Sequence, residues 1–177
     1  MPVMRLSEYL NYTKKDGYRA IELPYLGEGL SMVILVPEIH QFEVREKKLD
    51  YQKICAIVND LKGSNVNLTM PKFTFRSGSR LGSVLSQMGM PLAFSNKADF
   101  SGIVEKGDLF ISDIFHDTYI SVDEKGTEAA ATTGMMAARA AYGKIIDFNI
   151  DRPFIFLIRD NETKAILFLG RLLNPLG

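Results

Sequence analysis

The run Leu30-Ser31-Met32-Val33-Ile34-Leu35-Val36 constrains this chain more than any other feature, because it is almost continuously apolar and ends at Pro37. A short run of this kind, rich in β-branched residues, predicts a strand covered on both faces rather than one with a wet side. Upstream, Ala20-Ile21-Glu22-Leu23 reads as a second strand, and Gly27-Glu28-Gly29 supplies a turn between them. The segment Tyr18 to Val36 is therefore expected to form a β-hairpin inside a buried sheet.

Other patterns supply the elements that would cover that sheet. Ile54, Ile57, Val58 and Leu61 fall on one helical face between Glu46 and Lys62, with Gly63 as a stop, which predicts one amphipathic helix. Val66, Leu68 and Met70 alternate up to Pro71, and Phe73 and Phe75 resume the alternation, as expected for consecutive strand segments. A short helix is expected from about Arg80 to Met88, with Leu81, Val84, Leu85 and Met88 on one side, and an extended segment from Leu109 to Val122. Pro153 to Ile158 and Ala165 to Leu173 read as a closing hairpin across Asp160-Asn161-Glu162. Several strands, two to three helices and no strand–helix alternation make the fold class α+β.

Charge and motif content narrow the function. The 177 residues carry 21 Lys plus Arg against 21 Asp plus Glu, so no net field draws the chain to nucleic acid or an anionic membrane. No apolar run reaches membrane-span length, and Met1 to Leu10 has none of signal-peptide length. The single cysteine, Cys55, allows no internal disulfide and reads as a small apolar core residue. His40 and His116 stand far apart, outside any metal-ligand spacing. Gly27-Glu28-Gly29 lacks the third glycine of a dinucleotide fingerprint, and no nucleophile elbow or phosphate loop occurs. Asp123 and Glu124 are adjacent, so on a strand they would point to opposite faces and could not act together as an acid and base pair. The expectation is a non-enzyme without cofactor or metal, whose partner is chosen by local shape.

Between Gly126 and Gly143 the composition turns abruptly to small residues, mostly Ala, Thr and Gly. Immediately before and within this window, Val122-Asp123-Glu124-Lys125-Gly126-Thr127-Glu128-Ala129-Ala130-Ala131-Thr132 resembles the hinge of the serpins, a family of serine protease inhibitors. Phe148-Asn149-Ile150-Asp151-Arg152-Pro153-Phe154-Ile155-Phe156-Leu157-Ile158 resembles the family's C-terminal signature, and Phe168-Leu169-Gly170-Arg171-Leu172-Leu173-Asn174-Pro175 is similar to its closing strand. Weaker similarities at Leu23-Pro24-Tyr25, Leu68 to Phe73 and Phe94 to Ile103 follow in the family's order.

The resemblance implies one partial serpin domain over 1–177, the C-terminal half of the fold, with an exposed reactive loop at about 126–147. It implies a suicide substrate: a serine protease attacks the loop, forms an acyl-enzyme, and is trapped as the cleaved loop inserts into a large sheet. The implied hinge is Glu124, Lys125, Gly126, Thr127, Glu128, Ala129, Ala130, Ala131 and Thr132. Its residues suit insertion on their own terms, since Thr127, Ala129, Ala131, Thr133, Met135 and Ala137 would share one face without charge or proline. The family's spacing puts the scissile bond between Ala140 and Ala141, which implies an elastase-like or subtilisin-like target. A shift of one residue would present Arg139 to a trypsin-like protease instead. His116 matches a structural histidine under the opening of the large sheet, a latch bonded to polar groups of the other half. That half would normally precede Pro2-Val3-Met4, so a complementary N-terminal serpin half is an expected partner. A non-inhibitory carrier or an inactive truncated form is the alternative. Asn11-Tyr12-Thr13, Asn67-Leu68-Thr69 and Asn161-Glu162-Thr163 fit the N-glycosylation pattern, which favours a secreted glycoprotein as parent, with an intracellular location also open.

Overall fold

The computed structural model describes residues 2–103, 109–123 and 144–175. Two units are distinguished, one built from 1–73 with 122–177 and the other from 74–121. The first contains a seven-stranded sheet. Its strands are β1 (Val3–Lys15), β2 (Tyr18–Pro24), β3 (Leu30–Pro37), β4 (Lys62–Pro71), β7 (Ile146–Asn149), β8 (Phe154–Asp160) and β9 (Ile166–Leu172), in the order β7-β4-β1-β2-β3-β8-β9. Every neighbouring pair is antiparallel except β4 with β7, which is parallel.

The expected hairpin forms as β2 and β3, paired from Tyr18↔Pro37 to Pro24↔Ser31. Gly27 and Glu28 turn the chain at φ of 84° and 58°, the left-handed conformation for which glycine carries no steric penalty. Strand β3 lies between β2 and β8 and is buried from Ser31 to Pro37, as its apolar run requires. On one face, Tyr18, Ala20, Val33, Leu35, Ile155 and Leu157 form a core with Ile54 and Ile57. The last two lie on helix α2 (Tyr51–Asn59), which lays its apolar stripe across the sheet. On the opposite face Phe73, Phe154 and Phe156 form an aromatic cluster, Phe73 lying 5.7 and 5.4 Å from the other two ring centres.

The helical segment between Glu46 and Lys62 is shorter than its periodicity suggests. A five-residue helix α1 (Phe42–Glu46) precedes α2, and the Asp50 carboxylate accepts a 2.7 Å hydrogen bond from Lys53 N, starting α2 afresh. Helix α2 ends at Asn59, so Gly63 does not stop it and sits instead in β4, where a side chain would collide with the Tyr9 ring. Strand β4 buries Val66, Leu68 and Met70 as the alternation predicts, and β8 and β9 form the closing hairpin.

The second unit holds most of β5 (Phe73–Arg80), helix α3 (Gly82–Gln87), a 3-10 turn at Leu92–Phe94 and most of β6 (Phe115–Val122). Strands β5 and β6 form a two-stranded sheet. Helix α3 is narrower than the expected Arg80 to Met88, and the apolar residues assigned to it include the exposed Val84 and Met88. The extended segment becomes a strand only from Phe115, residues 109–114 having no regular structure.

Candidate functional site: the strands flanking the loop

The hinge from Glu124 to Thr132 and the candidate reactive residues Arg139, Ala140 and Ala141 lie outside the described residues. The two strands that flank them are described, β6 ending at Val122 and β7 beginning at Ile146.

Strand β6 alternates as a sheet strand must. Ile120 and Val122 are buried on one face, while Phe115, Asp117, Tyr119 and Ser121 point the other way and meet residues of β5. Arg80 lies 5.2 Å from the Phe115 ring centre and Arg76 5.1 Å from that of Tyr119. The Thr74 and Ser121 hydroxyls are 2.9 Å apart, and a Cβ at Gly78 would meet Asp117 Oδ1. These contacts advance along β5 as they retreat along β6, and Gly78 leaves room for the Asp117 carboxylate in a ladder that also holds two cation–aromatic pairs and one hydroxyl pair. His116 is exposed on the Ile120 face, and its Nε2 lies 3.2 Å from Thr118 Oγ1 two residues along. The ring is thus engaged by its own strand and by no carboxylate or nucleophile in the hydrogen bonds described.

Strand β7 is a short edge strand, its register running from Val66↔Ile146 to Thr69↔Asn149. Parallel pairing of this length is weak by itself, and side chains reinforce it. Phe148 is fully buried, with Tyr12 edge-on at 5.5 Å and the Arg19 guanidinium 4.2 Å above its ring centre. Arg19 also donates to the Asp147 carbonyl at 3.0 Å, and Asn67 Nδ2 donates to the Asp147 carboxylate at 2.9 Å. Beyond the strand, Ile150 N donates to Thr69 O at 2.8 Å. Periodicity gave no sign of Arg19, because its partners are 128 residues away in sequence.

The signature following β7 is explained by burial. Phe148, Ile150, Phe154, Phe156 and Leu157 are each at most 3% exposed, so most of its apolar positions are core positions, Pro153 and Ile158 being half-buried. Gly170 in the closing strand faces Phe156, and a Cβ there would fall 2.5 Å from that ring. His40, with φ of 61°, borders a surface cavity of ≈ 460 Å³ together with Glu38, Glu43 and Arg152. Among the described residues there is no cluster of three or more metal-capable side chains, and no helix is long and apolar enough to cross a membrane.

The sequon asparagines are all engaged. Asn11 Nδ2 donates to Glu22 at 2.9 Å, Asn67 Nδ2 to Asp147, and Asn161 Nδ2 to the Glu28 carbonyl at 2.7 Å. In the third sequon the Thr163 hydroxyl donates to Asp160 at 2.7 Å.

Comparison with known proteins places this architecture. The family model described as serpin (serine protease inhibitor) matches residues 1–175. An uncharacterized serpin-like protein of Thermococcus kodakarensis is 41% identical over 99% of the chain and 42% of its own length. The leukocyte elastase inhibitor of Sus scrofa is 39% identical over 93% of the chain and 45% of its own. Among solved structures, uncleaved ovalbumin superposes with a TM-score of 0.82 at 26% identity, over 98% of this chain and 47% of that one. Thyroxine-binding globulin in complex with thyroxine gives 0.81 at 29% identity, over 99% and 47%. The chain thus spans less than half the length of these relatives, and it belongs to the serpin family.

Proposed function

We propose that the chain is the loop-bearing part of an inhibitory serpin, one partial domain over 1–177 that traps a serine endopeptidase as a suicide substrate. The observation that carries this reading is the small, uncharged face from Thr127 to Ala137, set between a hinge-like segment and the buried signature that begins at Phe148. No side chain on that face is charged, and none, the unbranched Met135 included, is bulky enough to stop entry into a sheet.

In the proposed reaction the protease serine Oγ attacks the carbonyl carbon of Ala140. The Ala140–Ala141 C–N bond breaks, the Ala141 amine leaves with a proton from the protease histidine, and an ester joins Ala140 to the enzyme. Loop insertion then outpaces hydrolysis of that ester, driven by strand pairing not made in the starting state, which is stability held by kinetics. A small residue before the bond suits an elastase-like or subtilisin-like pocket, and the resemblance to the porcine leukocyte elastase inhibitor supports the same class. Cleavage after Arg139 would redirect the chain to a trypsin-like enzyme. The hinge role of Glu124 to Thr132 and the latch role of His116 are part of this reading. The partner that supplies the receiving sheet is the N-terminal portion of a serpin, on the same polypeptide or a separate one.

The three sequons support a secreted parent protein over an intracellular one. Asn67 is exposed, and glycosylation there would cost its hydrogen bond to Asp147, whereas at Asn11 it would cost the bond donated to the buried Glu22. The second reading, a non-inhibitory binding module or an inactive truncated form, takes its support from thyroxine-binding globulin, a structural neighbour solved with a small ligand.

One experiment separates them. Supplied with an N-terminal serpin half and challenged with elastase or trypsin, the inhibitor gives an SDS-stable adduct and a cut after Ala140 or Arg139 by mass spectrometry. Rapid cleavage without adduct in the complemented protein overturns the inhibitory reading and supports the second.

A further inference from the structure

A loop presents one bond to a protease only if both of its ends are fixed, and the end at β7 has little backbone holding it. Four register positions in a parallel edge strand cannot resist fraying strongly, and edge strands with few partners open locally before the rest of a sheet. What β7 does have is Arg19. Its guanidinium covers the buried Phe148 ring at 4.2 Å while the same group donates to the Asp147 carbonyl at 3.0 Å, so it grips one side chain and the adjoining backbone at once. Arg19 belongs to β2, which is paired along its length with β3 and so offers a rigid base. The planar fork of arginine makes both contacts from one position, which lysine cannot reproduce.

We propose that Arg19 is a positioning residue that clamps β7 to the sheet and thereby fixes the C-terminal end of the reactive loop. The loop's role rests on the function proposed above; the clamp is independent of it. Asn67 contributes a second tie through the Asp147 carboxylate. Loss of the clamp loosens Ile146–Asn149, the anchor at the C-terminal end of the loop, without touching the scissile bond itself.

The test is hydrogen–deuterium exchange read by mass spectrometry on the whole chain, comparing Arg19→Ala and Arg19→Lys with the unchanged protein. The clamp predicts exchange about tenfold faster over Ile146–Asn149 in Arg19→Ala, with Leu30–Pro37 unchanged, and a smaller selective increase in Arg19→Lys. Unchanged exchange at β7 in Arg19→Ala overturns the proposal. If Arg19→Ala loosens β3 as well, the lysine variant decides: a selective increase at β7 upholds the clamp, and an equal or absent one overturns it. In the complemented protein treated with elastase, Arg19→Ala should shift the partition from adduct toward hydrolysed loop. Absence of adduct from the unchanged protein would sink the inhibitor reading alone and leave the exchange result to judge the clamp.

Discussion

Glu22 is a carboxylate in the middle of a sheet, 8% exposed, and its ionisation depends on donors from three other strands. Burial pushes its pKa up, but hydrogen bonds from Asn11 at 2.9 Å, Arg159 at 2.6 Å and the Ser31 hydroxyl at 2.8 Å outweigh it and hold the carboxyl below its ordinary value. A carboxyl depressed on folding contributes stability that is present above its unfolded pKa, roughly 4.3, and is lost as pH falls through the folded value. Denaturation midpoints in urea should therefore fall as the solution is taken below about pH 4.5, and Glu22→Gln should flatten that slope. Arg159→Ala leaves the carboxylate buried and unpaired, at a cost of about 3–5 kcal/mol at pH 7, whereas Glu22→Leu with Arg159→Met costs much less. Equal midpoints for Arg159→Ala and the unchanged protein would show that the pair contributes nothing.

At the scale of elements, strand β9 docks through a glycine. Gly170 faces Phe156, whose ring is 1% exposed and hemmed in by Phe73 and Phe154. The ring cannot yield, so Gly170→Ala should destabilise by about 1–3 kcal/mol through overpacking, while Leu169→Ala on the exposed side should stay within about 0.5 kcal/mol. Thermal melts of both variants check this; similar losses would mean that β9 packs otherwise. Such local signals explain why so much of the fold was legible beforehand. The apolar run of β3, the alternation of β4 and the turn at Gly27 each report burial or backbone conformation at their own position. The helix before β4 and its apolar face were legible but its bounds were not, because its start depends on the Asp50 cap and its predecessor is tied by Tyr18, whose hydroxyl donates to Arg45 O at 2.9 Å. The expectation of a reactive loop rests on family likeness alone, since small residues specify no contact of their own and the stretch lies mostly outside the described residues. The Arg19 clamp was not legible at all, because parallel pairing of β4 with β7 brings together segments that no periodicity relates.

Over the whole molecule, each unit leaves large apolar side chains exposed. Phe168 at 41%, Leu169 at 60% and Leu173 at 52% line β9 and the chain just beyond it, and in the second unit Met88, Leu92 and Ile103 are exposed at 77%, 61% and 75%. Exposed apolar side chains of this size are found at interaction sites or are an aggregation liability, and among the described residues β9 is also an edge strand of its sheet. The relatives supply the context, since the chain spans only 42–47% of the length of those compared. If the remaining part of a serpin covers these surfaces, an apolar dye such as ANS should bind the chain strongly when it is alone and be released on addition of an N-terminal serpin half. The mixture should then sediment as a 1:1 complex. On the proposed function, in which the receiving sheet comes from the N-terminal portion, the same addition should convert elastase from an enzyme that merely cuts the loop into one held as a covalent adduct. Dye release without adduct would mean that the surfaces find their partner while the loop fails as an inhibitor. Adduct formation by the chain alone would refute the need for the other half, since the energy that traps the protease would then have to come from strand pairing within these 177 residues.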